Sequence, residues 1–253
     1  KKDTENAIIY VGGDVAHAKT DMSPELVQMI SGFLKSLADI APTIVITGNH
    51  DCNLNNPERL DVLEPIIEAL DHPNLHYFKK SGIYTLADTD FVVFSVFDTP
   101  DMYIQATECL ASNKIALFHG VVNQASLDNG LVLKTDKVDL NHFRNFDIAC
   151  LADIHKFQTL QEYDFKKKKP VIKYAGSLIQ QNHGESYENH GLIKWNIPTR
   201  TGEFIRIKNN YGFYTIYVKN NEIPDITDLP KYPRLRIRIE NSLISNVKKI
   251  IAD

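Results

Sequence analysis

The chain has 253 residues, enough for one large domain or one and a fraction at about 150 residues per domain. Hydrophobic residues make up 43% and charged residues 24%, proportions that exclude a disordered, collagen-like or coiled-coil protein. A net charge of −4 excludes a globally basic nucleic-acid coat protein and leaves DNA binding to a local patch or to bound cations. No apolar run approaches the roughly 20 residues that span a bilayer, so no membrane is expected. The polar start, Lys1 to Asn6, lacks the apolar core of a signal peptide. Three scattered cysteines, Cys52, Cys109 and Cys150, fit neither a disulfide framework nor a zinc knuckle. A reducing, cytoplasmic setting is the expectation, with a nucleoid or viral replication context open.

Residues 7–11 read as a buried strand, and it ends in Gly12-Gly13-Asp14. A strand so near the start, with no methionine before it, predicts a fragment whose upstream strand and helix are missing. Ser23-Pro24-Glu25 opens a helix: serine caps, proline fits the first turn and the acid meets the dipole. Leu26, Ile30, Phe33, Leu34 and Leu37 form its apolar face, and Pro42 ends it. Residues 43–47 form a β-branched strand that runs into Gly48-Asn49-His50-Asp51. A helix over 60–70, interrupted by Pro65, is followed by strands at 75–78, 83–86 and 91–96, then a helix near 102–110. Strand 115–118 leads to His119-Gly120, strand 147–151 to Ala152-Asp153-Ile154-His155, and strand 171–174 to Ala175-Gly176-Ser177. Strands are expected at 192–197, 203–208 and 213–218, a two-proline linker at 223–231, a half-exposed strand at 235–239 and a helix from Ser242.

Singly, these polar tips are ordinary. Asp14 fits a turn, Asn49-His50-Asp51 a capping loop, His119 a satisfied core histidine and Asp153-Ile154-His155 a surface turn. Together they place oxygen ligands and imidazoles after successive buried strands, where α/β proteins build their sites. That donor mixture suits manganese, iron or zinc at a hydrolytic site better than a structural thiolate site.

The ordered blocks G-G-D-V-A-H, G-N-H-D, F-H-G, D-I-H-K-F-Q and Y-A-G-S resemble the calcineurin-like metallophosphoesterases, and within them the SbcD-type DNA double-strand-break repair nucleases and their phage and viral relatives. The resemblance runs from about residue 7 to 196 and more loosely to the end. It implies an α/β four-layer metallophosphoesterase sandwich, two mixed β-sheets flanked by helices, over residues 1–222. The start of a small α+β capping domain would fill 223–253. It also implies two divalent cations, manganese before magnesium. Asp14 would bridge them, Asn49, His119 and Asp153 would complete one site, and His155 would bind the other ion. His50 would act beside the scissile phosphate, and His17 would contact the phosphate and orient the DNA end. DNA as substrate, an SbcC-type SMC-like ATPase partner and a homodimer follow from the resemblance alone.

This chain departs from the family pattern twice. Most relatives have G-H-x-H where Ala152-Asp153-Ile154-His155 stands; the carboxylate adds charge and favours harder ions. The family's opening D-x-H motif is absent, and Asp3 has no histidine two positions on. The chain as given is therefore expected to bind one ion well and to turn over poorly.

Ser177 lacks a G-x-S-x-G elbow and is read as hydroxyl support of the site; His183 is a candidate for substrate contact. Lys166 to Lys169 are either a solvated hairpin tip or a phosphate-backbone contact. The leading expectation is a manganese-dependent DNA exonuclease and endonuclease in double-strand-break processing. Its rivals are a phosphatase or phosphodiesterase for small substrates on the same core, and a metal-poor scaffold that binds proteins.

Overall fold

The computed structural model describes residues 6–19, 21–220, 222, 224 and 229–242. Three parallel strands, β1 (Ile9–Val11), β2 (Thr43–Ile46) and β3 (Leu75–Phe78), pair in that order. The central β2 is buried along its whole length, as its continuous β-branched run requires. The connections carry α1 (Pro24–Ala38) and α2 (Glu64–Leu70), both packed on one face of this sheet through Ile30, Leu34, Leu63 and Ile66.

The second sheet has six strands: β4 (Gly82–Leu86), β5 (Thr89–Phe94), β6 (Asn113–His119), β7 (Ile148–Ala152), β9 (Val171–Tyr174) and β8 (Gln158–Gln161), in that spatial order. Its four inner strands are parallel, and β4 and β8 run antiparallel at the edges. Ile44 and Ile46 of β2 meet Phe91, Val93, Ile115, Leu117 and Ile148 between the two sheets. The far face of the larger sheet buries Phe94, Phe118, Leu151 and Tyr174 under Tyr103, Phe143 and Phe146.

The fold is thus mixed α/β with several sheets and few helices. The smaller sheet is parallel in all its described strands, and short 3-10 turns and loops cover the larger sheet's far face where helices were expected. A hairpin of β10 (Gly191–Asn196) and β11 (Thr201–Arg206) sets Trp195 against the inter-sheet core. Buried Lys173 ties it down by donating to Glu162 Oε1 at 2.9 Å and to the Gly202 carbonyl at 3.3 Å.

Several expectations shift in detail. Ser23 does cap α1, accepting from Leu26 N–H at 3.2 Å, but Phe33 faces outward at 39% exposure while Ala38 is buried. Pro65 does not interrupt a helix; it sits in the first turn of α2, which Asp61 Oδ1 caps by accepting from the N–H groups of Leu63 and Glu64. The helix expected near 102–110 is two 3-10 turns, Pro100–Met102 and Ala106–Glu108. Extended backbone at Tyr103 and Gln105 separates them, and the N–H groups of Leu110 and Ala111 go to Asp90 instead of a helix ladder. Strand β8, with its Gln-Thr-Leu-Gln sequence, carries no apolar run that announces it.

The last two strands, β12 (Tyr211–Lys219) and β13 (Tyr232–Glu240), form a parallel pair across the segment expected to link two domains. Residues 223 and 225–228 of that linker, and the helix expected from Ser242 onward, lie outside the described residues. Among the described residues no helix is long and apolar enough to cross a membrane.

Fully buried Tyr174 fastens the loop after β6: its hydroxyl donates to the Gly120 carbonyl at 2.7 Å and accepts from Val122 N–H at 2.8 Å. Tyr174→Phe strands both backbone groups. It is expected to cost roughly 1–3 kcal/mol, read as a lower denaturant midpoint with an unchanged slope. A midpoint equal to the parent's would contradict this role.

Candidate metal centre

Parallel strands put their carboxyl ends on one edge of a sheet, and here two such edges meet. The loops after β1 and β2 bring Asp14 and Asn49; the ends of β6 and β7 bring His119 and Asp153. One ligand atom each from Asp14, His119 and Asp153 fits within a 4.8 Å span. His119 Nε2 lies 3.3 Å from Asp14 Oδ2 and 3.7 Å from Asp153 Oδ1. The Asn49 amide joins them, 3.0 Å from His119 Nε2. With its nitrogen inward it also donates to both Asp14 oxygens at 3.2 Å, and with its oxygen inward it adds a neutral acceptor.

The tautomer of His119 follows from its other nitrogen. Nδ1 lies 2.6 Å from the Gly12 carbonyl, which only accepts, so Nδ1 carries a proton and donates. Nε2 is left as the nitrogen that faces the carboxylates, the arrangement that orients a metal-binding imidazole. The ring is 3% exposed.

The backbone is shaped for this approach. Asp14 (φ 53°) and Asp153 (φ 88°) both occupy the left-handed region, a strain of order 1–2 kcal/mol for an L-residue that Asp tolerates better than most. A side chain on Gly13 would meet Gly48 Cα at 2.7 Å and His119 Nδ1 at 2.9 Å, and one on Gly48 would strike the Asp14 carboxylate. Only glycine lets these loops touch.

Charge is balanced tightly. Burial pulls His119 down, but Asp14, the Gly12 carbonyl and Asp153 outweigh it and hold the imidazole above its ordinary value. Burial pushes Asp14 up, and the hydrogen bonds and charges of His119 and His50 more than reverse it. Burial keeps the Asp153 carboxyl above the usual range, with Asp14 adding to it. Two carboxylates, an amide and an imidazole lone pair fit a divalent ion of intermediate hardness.

The other expected site residues are placed as follows. His50 is exposed; its N–H donates to Asp14 Oδ1 at 2.9 Å and its Nδ1 donates to the His17 carbonyl at 2.9 Å. The His17 and His50 rings stack, 5.1 Å between centroids and 16° apart. His155 does not join the converging triad; its Nδ1 donates to Glu185 Oε1 at 2.8 Å, which holds the imidazole above its ordinary value. Ser177 Oγ turns to the Ile179 carbonyl at 2.8 Å and to His190 Nδ1 at 2.9 Å. His183 packs edge-on against Phe213 and lies 3.4 Å from Thr215 Oγ1.

Two further residues hold the site. Buried Asp51 accepts from the N–H groups of Asp14 at 2.8 Å, Ala16 at 3.0 Å and Gly48 at 2.9 Å, which clamps the β1 and β2 loops together. Burial pushes its carboxyl up to about 6 against these donors. Glu185 anchors His155 and is itself fixed by Gln181 N–H at 2.7 Å and Asn182 Nδ2 at 2.6 Å. Position in the G-N-H-D block was the one signal for Asp51; Glu185, thirty residues beyond its histidine, closes the segment 174–185 of the family resemblance, but nothing in the sequence paired it with His155.

No family model matches the chain. It is 38% identical over 264 residues to "Uncharacterized protein R555" of Acanthamoeba polyphaga mimivirus, covering 97% of this chain and 19% of that protein. The chain therefore spans about a fifth of that relative's length. It is 22% identical over 248 residues to "Putative phosphoesterase 244L" of Invertebrate iridescent virus 6, covering 96% of this chain and 78% of that protein.

A cation at this centre must take the Nε2 lone pair of His119, which in the metal-free protein holds its proton above the ordinary histidine range. Binding therefore releases a proton below that raised value, and affinity climbs with pH until His119 is neutral. Manganese titration calorimetry in buffers of different ionisation enthalpy is expected to show this release near pH 6 and its loss at alkaline pH. His119→Ala is expected to abolish tight binding. Affinity independent of pH would contradict the ligand assignment.

Proposed function

We propose that the chain is a metal-dependent phosphodiesterase of the calcineurin-like type that hydrolyses DNA. The observation that carries this reading is the convergence of Asp14, Asn49 and Asp153 on Nε2 of His119. The phosphoesterase name of the iridescent-virus relative and the ordered sequence blocks support the same chemistry, and His17 after G-G-D with the segment 174–185 supports the nuclease branch.

Asp14, Asn49, His119 and Asp153 would hold one divalent ion, with manganese favoured by three oxygen donors to one nitrogen. Asp14 and His155 are assigned to a second. Cations held there supply polarisation of a phosphate oxygen and activation of water. Asp51 keeps the Asp14 and Asn49 loops in register, and Glu185 leaves Nε2 as the free nitrogen of His155. His50 likewise has Nδ1 occupied, so its Nε2 is the nitrogen available to a phosphate or to a departing oxygen. His17 stacks against it and orients it. An SbcC-type ATPase and a second copy of the chain belong to this proposal through the resemblance alone.

DNA cleavage with manganese is the direct test. The parent chain is expected to cut DNA, and His50→Ala to cut about 10²–10⁴-fold more slowly with metal binding unchanged, as for loss of a general acid. Cleavage of a chromogenic phosphodiester with no cleavage of DNA would favour the small-substrate enzyme. Neither activity, with metal bound, would favour the scaffold.

A further inference from the structure

Outside the β8 edge of the six-stranded sheet lies an open groove of about 950 Å³. Five cationic side chains line it: Arg144, Lys156, Lys167, Lys168 and Lys169. They come from three separate places. Arg144 ends the 3-10 turn Leu140–Phe143, Lys156 follows His155, and the other three form the hairpin tip before β9.

The nearby carboxylates are already engaged. Asp139, the acid in the lining, accepts from Asn141 N–H at 2.9 Å and pairs with His142 Nδ1 at 3.0 Å. Asp164 closes the hairpin by accepting from the N–H groups of Lys166 and Lys167 at 2.9 and 3.0 Å. Amides and hydroxyls make up most of the remaining wall, and no aromatic ring takes part in it.

Lysines beside an edge strand also discourage pairing with a foreign strand. That accounts for the hairpin but not for Arg144 or Lys156, which lie outside β8 and face the same groove. Lys156 is held toward the groove by donating to Ser126 Oγ at 3.2 Å, and it is one residue from His155. Asp153 of the candidate metal centre stands three residues before Lys156 on the same loop.

We propose that this groove is a track for the phosphate backbone of a nucleic acid that enters the metal centre. The proposal rests on the DNA reading of that centre. Cations and amides without aromatic platforms contact phosphate and sugar, not base faces. Binding along the groove is therefore independent of sequence and steep in salt.

The test is fluorescence anisotropy of a short labelled duplex in EDTA, so that no cleavage occurs, across a salt series. Lys167→Gln/Lys168→Gln/Lys169→Gln is expected to flatten the dependence of log affinity on log salt by about 2.7, and Arg144→Gln, from a separate loop of the lining, by about 0.9. Lys35→Gln, on α1, is expected to leave the slope unchanged. Manganese-dependent hydrolysis of a chromogenic phosphodiester is expected to be equal in all three variants. If the parent binds the duplex and neither groove variant changes the slope, the groove proposal is overturned while the DNA reading stands. A change in the triple variant alone also overturns it, leaving only a basic hairpin. A parent chain that hydrolyses the small diester but binds no duplex at low salt overturns the groove and the DNA reading together.

Discussion

The bond from His119 Nδ1 to the Gly12 carbonyl is the interaction on which the site depends. It joins the carboxyl edge of the six-stranded sheet to the loop after β1, so two separately built sheets share one corner. It also decides which nitrogen of a buried imidazole faces the carboxylates. The same device recurs twice: His50 Nδ1 is held by the His17 carbonyl and His155 Nδ1 by Glu185. Three histidines, one ending β6 and two on loops, thus have one nitrogen fixed by an acceptor and the other turned toward the site.

That arrangement needs close contact between polar loops, and the protein meets the cost with backbone features. Left-handed Asp14 and Asp153 aim their carboxylates at His119, and Gly13 and Gly48 remove the side chains that would block the approach. Asp51 then closes the corner with three N–H donors from both loops. A buried carboxylate so used is costly to desolvate, and losing it would leave three backbone donors unpaired. The rigid parts of the fold lie directly behind, in the continuous apolar runs of β2, β6 and β7.

Much of this was legible in the chain. Short apolar runs gave β1, β2, β6 and β7, and the polar tips that end them gave Asp14, Asn49, His119 and Asp153, because strand ends in an α/β fold collect at one edge. The acceptors were not legible. Gly12 and His17 act through main-chain carbonyls, and Glu185 reaches His155 across thirty residues by a loop with no periodic signal. Ser177 and His183 stand near the site in sequence, and the structure engages them with His190 and Phe213. The helix expected near 102–110 gave way to a contact from elsewhere in the chain. Buried Asp90 captures the N–H groups that would have continued it, a long-range hydrogen bond that no window of sequence contains.

Anomalous diffraction at the manganese edge, from crystals grown with the ion, tests the central claim most directly. The account predicts a peak bonded to His119 Nε2, Asp14 and Asp153, with the Asn49 amide turned oxygen-inward and His119 Nδ1 still on the Gly12 carbonyl. A corner without a peak, with the Asn49 nitrogen facing Asp14, would contradict it.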